Sequence, residues 1–183
     1  MIIIIGLGNP GKKFENTPHN VGFLAVKKFS DNYLIAPVSD QTANYIKIKD
    51  VINEEEINLI FPQTYMNLSG NVFRYLQKDY RLKIIVHDDI DIPMGKIKLS
   101  QGGRSGGHKG VESIIRVRGE NFIRIKIGIL PPNGKPKELE KFVLKKISKE
   151  QRKIIDEGVQ KATKAIDLLI KEGLDRAMNE YNK

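Results

Sequence analysis

The sequence predicts a single α/β domain: a central mixed, mostly parallel sheet flanked by helices. Three observations carry this expectation. Short apolar runs alternate along the chain with amphipathic segments of helical period. The polar stretch DVINEEE joins two successive strand-like segments, which argues against a purely parallel sheet. The length of 183 residues with 40% hydrophobic content is enough for one domain with a real core. The expected domain is the whole chain, 1–183, with a C-terminal helical segment, about 148–183, packed on it.

In chain order, strands are expected at Ile2 to Ile5, Asn44 to Lys49, Ile57 to Phe61, Lys83 to His87, Lys96 to Ser100 and Phe122 to Ile129. Helices are expected at His19 to Tyr33, Asn67 to Tyr80, His108 to Val117 and from Ser148 onward. Thr17 and Pro18 suit the N-cap and first position of the first helix. In the last helix Ile155, Val159, Ala162, Ile166 and Leu169 make one apolar stripe, and Gly173 ends or kinks it. PPNGKP, Pro131 to Pro136, is the one linker-like piece.

The chain contains no cysteine, which removes disulfides, thiolate nucleophiles and thiolate metal sites. No apolar run is long enough to span a bilayer, and Met1 to Ile5 is too short for a signal-peptide core, so a cytoplasmic protein without membrane contact is expected. The net charge of +9 is regional. Residues 1–95 hold 10 basic against 11 acidic side chains, residues 154–183 hold 5 against 6, and residues 96–153 hold 16 against 5. Such a segment is the footprint expected for a polyanion, with a solvated basic face as the bland alternative. Only Phe122 and Phe142 are interleaved there, so contact with a phosphate backbone is favoured over base stacking.

Two motif matches fail on their context. Gly6, Gly8 and Gly11 have the G-x-G-x-x-G spacing of a dinucleotide fingerprint, but Pro10 removes an amide and the helix starts near His19 rather than at the turn. Gly103, Ser105 and Gly107 match the nucleophile elbow, yet Ser105 lies well past the strand, and His108 is the one later histidine. Those glycines are better read as a mobile loop that exposes amides ahead of a helix. VHDDIDIP, Val86 to Pro93, brings one His and three Asp to the end of a strand, where open α/β sheets bind ligands. A divalent-metal hydrolase using His19, His87, Asp88 and Asp91 is one alternative, and a non-catalytic RNA-binding module is another. An Asn such as Asn67, following a strand, is often just a helix cap.

Together, GLGNPG, TPHNVGF, TYMNLSG, VHDDIDIPMGKIKL and GGHKGVESI, in this order and spacing, resemble the bacterial peptidyl-tRNA hydrolases. The resemblance runs from Ile2 to about Leu144 and continues more weakly beyond. It implies an esterase with no cofactor and no metal, acting as a monomer on peptidyl-tRNA. By the same resemblance His19 is the general base and Asp88 the carboxylate that orients it. Asn9 and Asn67 are substrate-gripping amides, Asn9 assisting the oxyanion; Met66 and Phe14 lie along the substrate; and Lys98, Arg124 and Lys126 contact tRNA phosphates. Three positions depart from the family pattern: Phe14 replaces a common tyrosine, Pro18 an arginine, and Lys109 an asparagine of the substrate site. Lys109 is a cation near a helix start, where the macrodipole disfavours it by roughly 0.3–1 kcal/mol. A partner is therefore expected, such as Asp88 or a group of the substrate.

Overall fold

The computed structural model describes residues 1–33, 45–52, 55–76 and 79–183. The expected strand start at Asn44, the tip of the DVINEEE connection and part of the expected second helix lie outside these residues.

Six strands form one sheet among the described residues: β1 (Ile2–Gly6), β2 (Tyr45–Ile52), β3 (Glu55–Pro62), β4 (Leu82–Pro93), β5 (Ile97–Gln101) and β6 (Ile123–Leu130). Their order is β2-β3-β1-β4-β6-β5. The inner pairs β1/β3, β1/β4 and β4/β6 are parallel, while the outer strands β2 and β5 pair antiparallel with β3 and β6. The mixed, mostly parallel sheet is thus present, with antiparallel strands at both rims.

The four-isoleucine run explains why β1 is central. Ile2 and Ile4 pack into one core layer and Ile3 and Ile5 into the other, all with no exposed surface. Burying each is worth about 1.5–3 kcal/mol, and only a strand covered on both faces can bury all four. The first layer holds α1 (Val21–Asn32), α4 (Lys149–Glu172) and α5 (Leu174–Tyr181). Every residue of the predicted α4 stripe is buried in it. Ser148 and Gln151 form a capping box at the start of α4, and Gly173, at φ 86, ends it. The side chain of Asn182 then acts as a strand mimic: it accepts from Leu99 N–H at 2.7 Å and donates to Leu99 C=O at 2.9 Å, blunting the β5 edge.

The second layer holds α2 (Lys109–Arg118) and a 3-10 segment, Met66–Arg74. Over residues 67–74 this segment takes the place of the α-helix expected there. Gly70 crosses α2 so closely that a Cβ there would lie 2.2 Å from Ser113 O, and its N–H donates to Ser113 Oγ at 2.9 Å. That tertiary contact sets the backbone path. A short helix, α3 (Leu139–Leu144), lies between β6 and α4.

Candidate active site

The chain runs from β1 outward to β3 on one side and then to β4 on the other, so the carboxyl ends of β1 and β4 form a switch point, the usual place for a ligand in such sheets. A cleft of about 910 Å³ opens there. Its floor is built by glycine. Gly22, in the first turn of α1, lies against the strands so tightly that a Cβ would sit 2.3 Å from Val86 O and 2.7 Å from Leu7 N. The preceding 3-10 turn, Pro18–Asn20, is thereby held over β4 two residues beyond Val86. Thr17 occupies the N-cap position, but its hydroxyl donates to Phe14 C=O at 2.8 Å instead of capping. Of the glycines of the GLGNPG turn, Gly6 and Gly8 lie against Gly22 and Phe23 of α1 and Gly11 takes left-handed backbone at φ 101; no helix opens on them.

This placement brings His19 Nδ1 to 2.9 Å from Asp88 Oδ1 and 3.0 Å from Oδ2. Asp88 is 4% exposed and His19 9%, so the pair is nearly dry. Burial is the largest influence on His19 and pulls its pKa down. The charge of Asp88 and the hydrogen bond it accepts outweigh this, with Lys109 a minor downward influence, and the pKa ends above the ordinary 6.5. For Asp88, burial alone would raise the pKa, but the charges and hydrogen bonds of His19 and His108 reverse that. Its carboxyl is held well below the usual range and stays ionised.

Asn9 and Asn20 lock the neighbouring turn. Asn9 N–H donates to Asn20 Oδ1 and Asn20 Nδ2 donates to Asn9 C=O, both at 2.9 Å. Asn9 Oδ1 accepts from Met66 N–H at 2.8 Å. Since an amide N–H can only donate, this contact orients the Asn9 side chain and directs its NH₂ half away from Met66. Met66 is buried in the cleft wall, Asn67 is exposed beside it, and Phe14 is half-buried at the rim with the Lys13 ammonium 4.7 Å from its ring centre.

The expected phosphate contacts divide. Lys98 and Lys126 are cross-strand neighbours on β5 and β6. Lys98 is exposed, and Lys126 lies 3.6 Å from Asp89 Oδ2. Arg124, expected as a phosphate contact, is 5% exposed, and its guanidinium donates to the carbonyls of Arg104 at 2.8 Å and Gly102 at 2.5 Å. It anchors the glycine-rich loop, which takes left-handed backbone at Gly102, Gly103, Gly106 and Gly107. Ser105 sits in that loop well past β5, its Oγ accepting from Gly107 N–H, so the elbow geometry is absent. Lys109 is exposed at the cleft mouth and pairs with Glu140 of α3 at 2.7 Å rather than with Asp88.

Two histidines carry structure that the sequence pattern does not assign. His108 Nε2 lies 2.9 Å from Asp88 Oδ1, while its Nδ1 accepts from the first amides of α2. A histidine at the predicted helix start is the available signal. His87 is buried and neutral, held well below 6.5 by burial first and by His108 second, and donates from Nδ1 to Asp88 C=O at 2.7 Å. One donor atom from each of His19, Asp88 and His108 lies within 4.8 Å of the others, a spacing compatible with a cation. These atoms are already joined by hydrogen bonds. The alternative ligand set is not brought together, because His87 turns to a carbonyl and Asp91 pairs with Lys135 at 2.7 Å.

The comparisons with known proteins agree. A family profile described as peptidyl-tRNA hydrolase matches residues 3–183. Peptidyl-tRNA hydrolase of Fervidobacterium nodosum is 43% identical over 183 residues, covering 99% of this chain and 96% of that protein. The enzyme of Thermodesulfovibrio yellowstonii is 42% identical over 192 residues, with 100% of both chains covered. The crystal structure of peptidyl-tRNA hydrolase from Acinetobacter baumannii superposes with a TM-score of 0.89 at 33% identity, over 100% of this chain and 94% of that one. With motifs, fold and site agreeing along its whole length, the chain belongs to the peptidyl-tRNA hydrolase family.

Proposed function

We propose that this chain hydrolyses the ester between a peptide's C-terminus and the terminal ribose of tRNA, with His19 as general base. The buried His19–Asp88 pair at the cleft floor carries the reading. With Asp88 accepting the Nδ1 proton, Nε2 is the bare nitrogen and takes a proton from water as its oxygen adds to the ester carbonyl. Asp88 fixes the tautomer and stabilises the imidazolium that forms. The oxyanion meets the free NH₂ of Asn9, held in place by the Met66 amide. Collapse expels the ribose oxygen, which recovers the proton from Nε2, leaving deacylated tRNA and a peptide carboxylate. Asn67 grips peptide backbone, and Met66 with Phe14 bounds the chain whatever its side chains. Lys98 and Lys126 take tRNA phosphates, while Arg124 acts indirectly by holding the loop. Lys109 stands at the mouth as a contact for incoming substrate. The reading carries with it one domain over 1–183 acting as a monomer in the cytoplasm. Among the described residues no helix is long and apolar enough to cross a membrane.

Release of peptide from a purified peptidyl-tRNA, with and without EDTA, tests the reaction. Turnover unaffected by the chelator is expected. Loss of turnover in EDTA favours a metal held by His19, Asp88 and His108, and no turnover in either condition leaves an RNA-binding module.

A further inference from the structure

Hydrolysis by His19 and Asp88 leaves the His108 ring at the cleft floor without a role. His108 is the N-cap residue of α2, and its Nδ1 accepts from Gly110 N–H at 3.1 Å and Val111 N–H at 3.3 Å. Backbone amides only donate, so Nδ1 is bare and the ring proton resides on Nε2. That proton points at Asp88 Oδ1, 2.9 Å away, the same oxygen that faces His19 Nδ1 at 2.9 Å. A proton on Nδ1 would displace both amides from the positive end of the helix. The ring is held on two sides, with the His19 ring centre at 4.9 Å and the His87 ring edge-on at 4.8 Å.

We propose that His108 is a positioning residue for the hydrolysis: it ties the Asp88 carboxylate to the start of α2 and takes a share of its charge, so that two imidazoles together set how strongly Asp88 acts on His19. The proposal rests on the assignment of His19 as base and Asp88 as its partner. The groups facing His108 and His19 are Asp88 and His87 from β4, and Lys109 of α2 with its partner Glu140 of α3 at the mouth. Arg124 of β6 lies beyond His87. Among them, the two imidazoles alone donate to the Asp88 carboxylate. Withdrawing the His108 hydrogen bond leaves the carboxylate acting on His19 alone, which holds the His19 proton more tightly. The acidic limb of kcat/KM then moves to higher pH. The carboxylate is also left with a single fixed partner, and part of the alignment of His19 goes with the other.

His108→Asn separates the two duties of the ring. Asparagine is among the best N-cap residues, but its side chain is too short to cap α2 and reach Asp88 together. Expected are a Tm lowered less than if the cap were lost as well, an unchanged KM for peptidyl-tRNA, a kcat reduced roughly 10-fold, as misalignment at a reacting centre allows, and an acidic limb displaced upward. His108→Phe can neither cap α2 nor reach Asp88, and it lowers Tm further. Wild-type kcat and limb in His108→Asn overturn the proposal, as does a loss confined to KM. A ¹⁵N imidazole spectrum of the unaltered protein gives an independent check, since Nδ1 of His108 must be bare and Nε2 protonated at the pH of full activity; the opposite tautomer overturns it. His19→Ala is measured in parallel. If that variant is active, the base assignment itself falls, whereas an inactive His19→Ala beside an unaltered His108→Asn removes only the role of His108.

Discussion

Gly22→Ala is the substitution on which the geometry of the site makes its sharpest demand. The added methyl would lie 2.3 Å from Val86 O and 2.7 Å from both N and O of Leu7, whereas ordinary contact begins near 3.4 Å. All three are backbone atoms, Val86 O within β4 and Leu7 one residue past β1, so no side chain can turn aside. The start of α1 must therefore retreat by about 1 Å, at a cost of about 1–3 kcal/mol for overpacking. His19 is three residues away, in the 3-10 turn that leads directly into α1. Its bonds to Asp88, now 2.9 and 3.0 Å, lengthen toward the roughly 3.6 Å at which a hydrogen bond no longer exists. Displacement of this size at a reacting centre costs about 10²-fold in rate. Urea unfolding measures the first effect and single-turnover peptide release the second. A Gly22→Ala protein with wild-type midpoint and wild-type turnover would refute the argument that this close approach sets the catalytic distance.

Asp88→Asn removes the charge that lifts the His19 pKa and leaves burial, which lowers it, so the acidic limb of kcat/KM moves to lower pH while kcat falls by roughly 10²-fold or more; Asp89→Asn, whose carboxylate faces Lys126 and the Asp91 amide, leaves the limb in place. An unmoved limb in Asp88→Asn, or a larger loss in Asp89→Asn, would mean that the wrong acid has been assigned. Lys98→Ala with Lys126→Ala lowers tRNA affinity and flattens the slope of log K against log salt by about one for each phosphate no longer neutralised; an unchanged slope in a filter-binding titration removes these lysines from the interface. Arg124→Ala acts differently, lowering turnover through the loop carbonyls of Gly102 and Arg104, with a smaller change in slope than either lysine gives.

What the sequence makes legible is local. The isoleucine-rich strands, the α4 stripe and the Ser148 start are written in short-range pattern, and each appears where the pattern puts it. The 3-10 segment after Tyr65 is expected as an α-helix, while the cause of the tighter winding, the crossing of Gly70 on Ser113, is 43 residues distant in sequence. α3 spans six residues after a proline-rich linker, too short to show a period. At the site, His19 and Asp88 follow from motif order, and the fold supplies the 2.9 Å between them. Arg124 is expected as a tRNA-phosphate contact from the family resemblance alone; its burial comes from the glycine-rich loop, whose carbonyls at Gly102 and Arg104 it holds. Lys109 is expected to find an anion in the cleft. Its partner instead belongs to α3, the helix that the pattern does not reveal.

The central claim is that the bare nitrogen of His19 activates water. Turnover of a purified peptidyl-tRNA by His19→Ala, measured beside tRNA affinity and Tm, addresses it most directly. The account predicts a kcat lower by about 10²- to 10⁴-fold with tRNA affinity and folding retained. Turnover near the wild-type rate in a folded, tRNA-binding His19→Ala protein would contradict it.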